Sequence, residues 1–385
     1  MPIQYKSLLI SLFVVASFIY ASLSLAAQTT VTSTLLLNLG AIYDSNFYYD
    51  LIDERGVTTY LVQPGIELGY ETGKSEIAFQ YTLDANYYDE SAEDDFYGHT
   101  AYLIGDFKFS DRLSFNLSDN FIKTRDWSNL DELGNVRARA PYYQNRLSAI
   151  FSLDFEPKFT TKLGYRNWIT DYENDLFVDS KGNQGIFDLI YHLNSSTSLD
   201  LEYHYWSMDY DGPISDYTSN QLSLVARKEW RIVSLEAAAG YQKREFDDAG
   251  QEDIEVVPYR FTLEGRSSSQ KSRFSLSAEQ NFNFLDRSVQ EGYYEANRFS
   301  LTFNHDLTGK ITVGVNGYFQ NSDYVDSIRD DDTYNITADL NYQIRERLAF
   351  YFSVGYENRD STRLFAEYDN TEVIGQLRFS HDIAK

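Results

Sequence analysis

Cysteine is absent from the 385-residue chain, and proline is scarce, with 6 residues. Without cysteine, the protein has no disulfide bonds and no thiolate metal sites. Basic residues are also few, since 33 Lys and Arg stand against 58 Asp and Glu, which gives a formal net charge of −25. Such acidity excludes nucleic acid as a natural partner, because phosphate backbones are bound by Lys and Arg.

Enzyme signatures are missing as well. The five histidines, at positions 99, 192, 204, 305 and 381, show no metal-ligand spacing such as H-E-x-x-H. There is no G-x-S-x-G motif and no phosphate-binding glycine loop, and the acidic clusters lack the spacing of a calcium loop. His204 and Glu202 fall on one face of a strand as a candidate acid/base pair, although such a pair is more typical of a lumen wall. The sequence predicts no enzymatic activity, no cofactor and no metal ion.

Long apolar runs are confined to the N-terminus. Lys6 precedes an apolar run over residues 8–19, and small residues follow at 24–27. This pattern predicts a signal peptide over residues 1–27, cleaved after Ala26 or Ala27. A membrane anchor is the alternative, but the run is shorter than the ~20 residues that a spanning helix needs. No later run reaches that length, and the mean hydropathy is −0.44.

What the chain has in abundance is aromatic residues in strict alternation with polar ones. Aromatics make up 16% of the sequence, with 32 Tyr and 26 Phe. Between Ile77 and Tyr88, residues such as Phe79 alternate with residues such as Gln80. This pattern predicts strands with one face toward lipid and one toward water, and it explains how a membrane protein has a low mean hydropathy.

Short and long connections alternate between the predicted strands. The short ones, such as residues 156–158 and 227–230, are tight turns, whereas the long ones, such as residues 321–332 and 358–369, are acidic and rich in Tyr and Asn. Eight short and nine long connections predict an all-β fold over residues 28–385, a transmembrane antiparallel up-and-down β-barrel of about eighteen strands with both termini in the periplasm. A soluble β-sandwich or propeller is the alternative, but neither requires this alternation.

The face assignment predicts which side chains line the lumen. Inward bases and acids nearly balance by this assignment, which assigns the acidic excess to the extracellular loops. Rows of bases could guide an anionic chain, and inward aromatics could stack against sugar rings. The candidate pore-lining residues are Arg146, Lys162, Arg166, Trp168, Trp206, Arg260, Arg273 and Arg298. The alternative interpretation is that these side chains are wall structure, or that a shift of one residue reverses their face.

Three segments resemble a known family. Residues 40–47 (GAIYDSNF), residues 62–68 (VQPGIEL) and the pair Tyr87 and Tyr88 follow one another as in the family named "Putative β-barrel porin 2". The resemblance implies an outer-membrane barrel that passes a newly made polysaccharide to the cell surface. It transfers no functional residues to this sequence.

Together these observations predict a barrel in the outer membrane of a Gram-negative cell. Its expected partners are lipid and lipopolysaccharide, the barrel-assembly machinery, a polysaccharide and a periplasmic polysaccharide export protein. Export of an exopolysaccharide or capsular polysaccharide is the leading functional hypothesis. A general uptake porin for small solutes or oligosaccharides is the first alternative, and a structural or adhesive surface barrel is the second.

Overall fold

A computed structural model describes residues 29–49, 51–52, 54–89, 95–125, 140–174, 178–212, 215–248, 250–284, 293–324, 328–363 and 366–384. The predicted signal peptide, residues 1–27, lies outside the described residues and stays a prediction. Within the described ranges, no helix is long and apolar enough to span a membrane.

The described chain consists of strands joined by turns and loops. In chain order the strands are β1 (Thr29–Asp44), β2 (Val57–Thr72), β3 (Ser75–Tyr88), β4 (Phe96–Lys108), β5 (Leu113–Thr124), β6 (Tyr142–Glu156), β7 (Phe159–Tyr172), β8 (Ser180–Asn194), β9 (Thr197–Tyr210), β10 (Tyr217–Glu229), β11 (Val233–Phe246), β12 (Ile254–Val256), β13 (Tyr259–Arg266), β14 (Ser272–Phe284), β15 (Tyr293–Asp306), β16 (Ile311–Tyr324), β17 (Asp330–Arg345), β18 (Leu348–Ser361) and β19 (Tyr368–Ala384).

Two of these segments are halves of one barrel strand. Both β12 and β13 pair with β11 in an antiparallel arrangement. Pro258 lies between the two halves and has no amide hydrogen to donate, which interrupts the ladder, although its carbonyl still accepts a bond of 3.0 Å from the Gly240 amide. The described residues therefore form eighteen barrel strands, the predicted number.

The sheet closes on itself. Each strand pairs antiparallel with its neighbour in the chain, and β19 pairs with β1 from Asp44↔Glu372 to Ser33↔Ala384. Closure removes the edges that an open sheet would expose to lipid. The predicted all-β antiparallel barrel is confirmed.

Alternation along each strand separates an apolar outer face from a polar inner face. Leu163 and Leu224 point outward and are 62% and 59% exposed, as expected for side chains that meet lipid rather than protein. On the opposite face of β2 and β3, the Gln63 side-chain amide donates to the Asp84 carboxylate over 2.8 Å. Residues paired across two strands lie on the same face of the sheet, so the register assigns an inward or outward face to each residue in turn around the barrel.

The connections have the predicted order, but the strands run further than expected. The turn predicted over residues 227–230 is formed by residues 230–232, because β10 continues to Glu229. Arg359, predicted to lie in a long loop, belongs to β18. The strands begin and end at one rim with eight short turns, and the assignment of that rim to the periplasm stays a prediction.

Candidate functional site: the inner wall of the barrel

All eight predicted pore-lining residues lie at inward positions, and the register divides them into groups. Four of them occupy two neighbouring rows on β6 to β9. Arg146 pairs with Trp168 in one row. In the next row, Arg166 pairs with Gln184, which pairs with Trp206. The structure thus brings together side chains that are distant in the sequence, while their role stays a prediction.

Trp168 lies across the wall toward β9. Its register partner on β8 is Gly182, and beyond it lies Met208 on β9. A Cβ atom at position 182 would overlap the indole, so the ring passes directly over the glycine backbone. The indole N–H donates to the Met208 sulfur over 3.0 Å. Trp168 and Trp206 both pack against the buried pair Met208 and Tyr217.

A second group surrounds an arginine that the sequence interpretation had assigned to a turn. Arg227 forms ion pairs with Asp200, with Glu202 at 3.1 Å and with Glu236 at 2.6 Å. Arg260, one of the predicted residues, also binds Glu236 at 2.6 Å and lies 3.7 Å from Glu202. Two guanidinium groups therefore share three carboxylates across β9 to β13.

The remaining predicted bases also have partners. Arg298 donates to the Gln320 side-chain oxygen over 2.9 Å and stacks on the Tyr318 ring at 4.2 Å. Arg273 lies 3.5 Å from Asp306, with its side chain 59% exposed. Lys162 is the register partner of Asp188. The predicted row of Arg260, Arg273 and Arg298 is thus not a line of equivalent cations, because only Arg260 and Arg298 share a row, through Glu279.

Acids and bases are distributed unevenly over the inner face. On β6 to β15, which we call the paired wall, the described inward positions hold nine acids and nine bases. The acids are Asp154, Asp188, Asp200, Glu202, Glu229, Glu236, Glu264, Glu279 and Asp306, and the bases are Arg146, Lys162, Arg166, Arg227, Arg244, Arg260, Arg266, Arg273 and Arg298.

On β16 to β19 and β1 to β5, which we call the acidic wall, eleven inward acids stand against three bases among the described residues. The acids are Asp44, Glu67, Glu71, Glu76, Asp84, Asp106, Asp331, Asp339, Glu357, Glu372 and Asp382, and the bases are Lys108, Arg359 and Arg378. The expectation of a nearly balanced lumen was wrong, because it missed acids at strand ends such as Glu71 and Glu76.

Several carboxylates on the acidic wall accept hydrogen bonds from neutral donors. Asp84 accepts hydrogen bonds from Gln63 and from the Thr100 hydroxyl, the latter over 3.1 Å. Asp106 accepts a bond of 2.8 Å from Asn116. Asp331 is the exception, because Arg329 binds it at 2.5 Å and Arg359 approaches to 3.6 Å. Neutral donors hold a carboxylate in place without cancelling its charge, so this wall keeps its negative potential.

The candidate acid/base pair is arranged differently from the prediction. His204 lies 3.5 Å from Asp188 on β8, while the neighbouring Glu202 binds Arg227. In the part of the chain that the structure describes, no group of three or more His, Asp or Glu side chains could hold a metal ion. The absence of an enzymatic activity and of a cofactor stays a prediction.

Comparison with known proteins gives one match to a family model. The family described as "Putative beta-barrel porin 2" matches residues 231–381. This match confirms the predicted resemblance to that family over these residues. The match covers β11 to β19 and not the segments in β1, β2 and β3 on which the resemblance rested. No curated protein matches this chain at a significant level.

Solved structures of porins have the same architecture as this β-barrel. OccAB4 of Acinetobacter baumannii superposes with a TM-score of 0.53 at 11% identity, covering 93% of this chain and 99% of that one. OccK2 (OpdF) of Pseudomonas aeruginosa, in complex with glucuronate, gives a TM-score of 0.52 at 11% identity, covering 91% and 98%. At such identities the likeness concerns the fold. With its apolar outer face and closed sheet, the chain is a porin-like channel of the Gram-negative outer membrane.

Proposed function

We propose that the barrel is a diffusion channel for small hydrophilic solutes, through which cations pass more readily than anions. The observation that carries this proposal is the excess of carboxylates on the acidic wall. Glu67, Glu76 and Asp106 lie there at inward positions with exposed side chains. Uncompensated negative charge along a pore raises the local concentration of cations and lowers that of anions.

The opposite wall does not offset this charge. Its nine bases face nine acids, and Arg227 and Arg260 are held by Asp200, Glu202 and Glu236. A paired guanidinium contributes little net field to a solute that passes several ångströms away. The Debye length is about 8 Å at physiological ionic strength and about 30 Å at 0.01 M, so we expect the cation preference to be strongest in dilute salt.

Glucuronate and vanillate are carboxylates, and structures of OccK2 and of OpdK from Pseudomonas aeruginosa are described with them. This chain shares the barrel with those proteins at only 11% and 10% identity. Its surplus of inward acids disfavours carboxylates as solutes, because like charges repel in a partly desolvated pore. The proposal is therefore a general uptake porin that prefers cations, whereas the ligands named for OccK2 and OpdK are anions.

Polysaccharide export and surface adhesion stay predictions. Export of an anionic polymer was expected to use Arg260, Arg273 and Arg298, but Arg260 binds Glu236 and Arg273 lies beside Asp306. Deleting the gene and measuring surface polysaccharide tests export directly. A loss of polymer that the wild-type gene restores would favour export over diffusion.

Planar-bilayer recordings test the channel. We expect the reversal potential in a KCl gradient to indicate cation preference for the wild type. The triple variant Glu67→Gln, Glu76→Gln and Asp106→Asn should lose a measurable part of that preference, because three of the eleven inward acids are removed.

The matched control removes the same number of charges from outward positions at the opposite rim, by Asp332→Asn, Asp360→Asn and Asp369→Asn. It should keep the wild-type selectivity. An anion-selective wild type, or equal effects of the two triple variants, would reject the acidic wall as the source of selectivity.

A further inference from the structure

The indole of Trp168 forms a flat surface on the inner wall. It lies over the backbone at Gly182, where a side chain would leave no room for it. One face of the ring is therefore against the sheet and the other is turned toward the lumen. The bond from its N–H to the Met208 sulfur, 3.0 Å long, fixes the ring before any solute arrives. A ring held in this way loses little freedom when a ligand stacks on it.

Polar side chains border this surface on the side of the short-turn rim. Arg166 is the next inward residue on β7, and its side chain is exposed. Its guanidinium donates to the Gln184 side-chain oxygen over 3.4 Å, which is a long bond that uses one of five donors. The Gln184 amide retains two donor hydrogens on its nitrogen. Guanidinium and amide groups together offer both donors and an acceptor to a ligand with several hydroxyl groups.

A second indole extends the surface. Trp206 is the register partner of Gln184, so it lies in the row of Arg166, one row away from Trp168. Both indoles pack against Met208 and Tyr217, which are 7% exposed. Neighbouring strands are ~4.8 Å apart, and the Trp168 ring lies over Gly182 on β8 while Trp206 belongs to β9. The two aromatic surfaces therefore stand about one strand spacing apart, which matches the scale of two linked sugar rings.

We propose that Trp168, Arg166, Gln184 and Trp206 form a binding subsite for a neutral pyranose, and for a disaccharide across the two indoles. The C–H face of a sugar ring is apolar and stacks on an aromatic face, while its edge carries hydroxyl groups that bond to Arg166 and Gln184. This subsite rests on the proposed diffusion function and adds a solute class to it. A neutral sugar is compatible with the acidic wall because it carries no charge to be repelled.

Intrinsic fluorescence of the folded barrel in detergent tests the subsite without requiring conduction. Maltose is the probe, and glucose and vanillate are compared with it. We expect maltose to change the emission of the wild type in a saturable way, with vanillate having no effect. Trp168→Leu should weaken maltose binding about tenfold or more, which corresponds to the loss of one stacked ring. Trp230→Leu is the control, because Trp230 lies in a turn and is 52% exposed.

Two further variants separate binding from folding. Gly182→Ala keeps both indoles but places a methyl group where the Trp168 ring lies, so it should weaken maltose binding nearly as much as Trp168→Leu. Arg166→Gln should leave the amount of folded barrel unchanged and weaken binding by about threefold. In bilayers, maltose should reduce the ion current through the wild type and not through Trp168→Leu, with the same cation preference in both.

The outcomes distinguish the subsite from the channel. A cation-selective channel that gives no saturable maltose signal would overturn the subsite and leave the proposed function intact. Maltose binding in detergent by a barrel that does not conduct would overturn the proposed function and leave the subsite. Binding of vanillate in place of maltose, or equal maltose affinity of the wild type, Trp168→Leu and Gly182→Ala, would also reject the sugar subsite.

Discussion

On the paired wall, carboxylates and guanidinium groups hold one another, whereas on the acidic wall carboxylates such as Asp84 and Asp106 are held by neutral amides and hydroxyls. Asp200, 1% exposed, binds Arg227 across two neighbouring strands. Asp84 is held by Gln63 and Thr100 and keeps its charge uncancelled. The two walls have the same strand geometry, so the difference lies in which groups meet across the strands.

This difference separates structural charge from functional charge. Removing one member of a close ion pair leaves its partner without compensation, which costs folding free energy. Removing a carboxylate that is held only by neutral donors and is exposed to lumen water leaves no uncompensated charge behind. Substitutions on the paired wall should therefore change stability, and substitutions on the acidic wall should change selectivity.

The largest expected effect on the free energy of unfolding comes from arginine substitutions on the outer face, which test whether the two walls differ only on the inner face. Phe79→Arg behind the acidic wall and Leu224→Arg behind the paired wall each place a charge on the outer face. Both should lower the free energy of unfolding by ~2–4 kcal/mol, because lipid does not solvate the guanidinium. Urea unfolding, followed by the gel shift of the heat-treated barrel, gives the measurement. Gln80→Arg points into the lumen and should be far milder; an equal loss would mean that the faces are reversed.

Arg227→Gln tests the paired wall itself. It removes the shared partner of Asp200, Glu202 and Glu236, and Asp200 is almost fully buried. We expect a loss of about 2 kcal/mol in the free energy of unfolding, toward the low end for buried pairs because Arg227 is 34% exposed and lumen water can enter. Arg166→Gln is the matched control and should cost less than about 0.5 kcal/mol. Equal midpoints for the two variants would contradict the structural role of Arg227.

One substitution made on both walls gives a direct comparison. Glu236→Gln removes a carboxylate that binds Arg227 and Arg260, each at 2.6 Å. Glu67→Gln removes an exposed carboxylate of the acidic wall. We expect a loss of about 1 kcal/mol for the first and near zero for the second in the free energy of unfolding. Reversal potentials should show the opposite order, with the larger change for Glu67→Gln.

The smallest expected effect concerns the outer rim where the two walls meet. Lys123 on β5 binds Glu173, which follows β7, at 2.8 Å. The hydrogen bond from Lys123 lowers the pKa of the Glu173 carboxyl below its usual range. A carboxyl with a lowered folded pKa stabilises the fold above its ordinary pKa of about 4.3, and this contribution is lost as the pH falls through the lowered value.

Because the pair is partly exposed, its contribution should be below about 0.5 kcal/mol. Unfolding of the wild type and of Glu173→Gln is compared at about pH 6 and about pH 3. At about pH 6 the wild type should be slightly more stable than Glu173→Gln, and at about pH 3 the two proteins should have the same free energy of unfolding. A constant difference between them would show that the ion pair does not contribute.

The number of strands and the face of each residue were predictable because apolar and polar residues alternate along a strand that has lipid on one side and water on the other. Phe79 and Gln80 alternate in the sequence as they do in the barrel, and the eighteen strands were counted from the connections. The prediction failed near the strand ends. Arg227 and Arg359 lie near strand ends, where outward neighbours such as Lys228 and Asp360 are polar, so the apolar alternation that marks a strand fades there.

Cross-strand partners could not be predicted at all. The bond between Arg260 and Glu236 depends on the register of β11 against β13, and a shift of one residue would separate the two side chains. Trp168 was singled out as an inward aromatic residue, but the sequence gives no indication that its ring crosses Gly182 to reach Met208. Such contacts come from the side-by-side order of strands, which lies outside any single segment.

The seam between β1 and β19 has a consequence for how the barrel assembles. The Thr34 hydroxyl bonds to the Asp382 carboxylate across a separation of 348 residues, and the whole β1–β19 ladder joins positions nearly as far apart. Every other ladder forms between neighbours in the chain, so hairpins can accumulate early at a small cost in chain entropy, whereas the seam requires the ends of the sheet to meet. Until they meet, two edges with unpaired amides and carbonyls are present, which lipid cannot solvate. Closing this seam is therefore the slowest step available to the chain, and weakening it should lengthen the lifetime of the open intermediate more than it shortens the lifetime of the finished barrel.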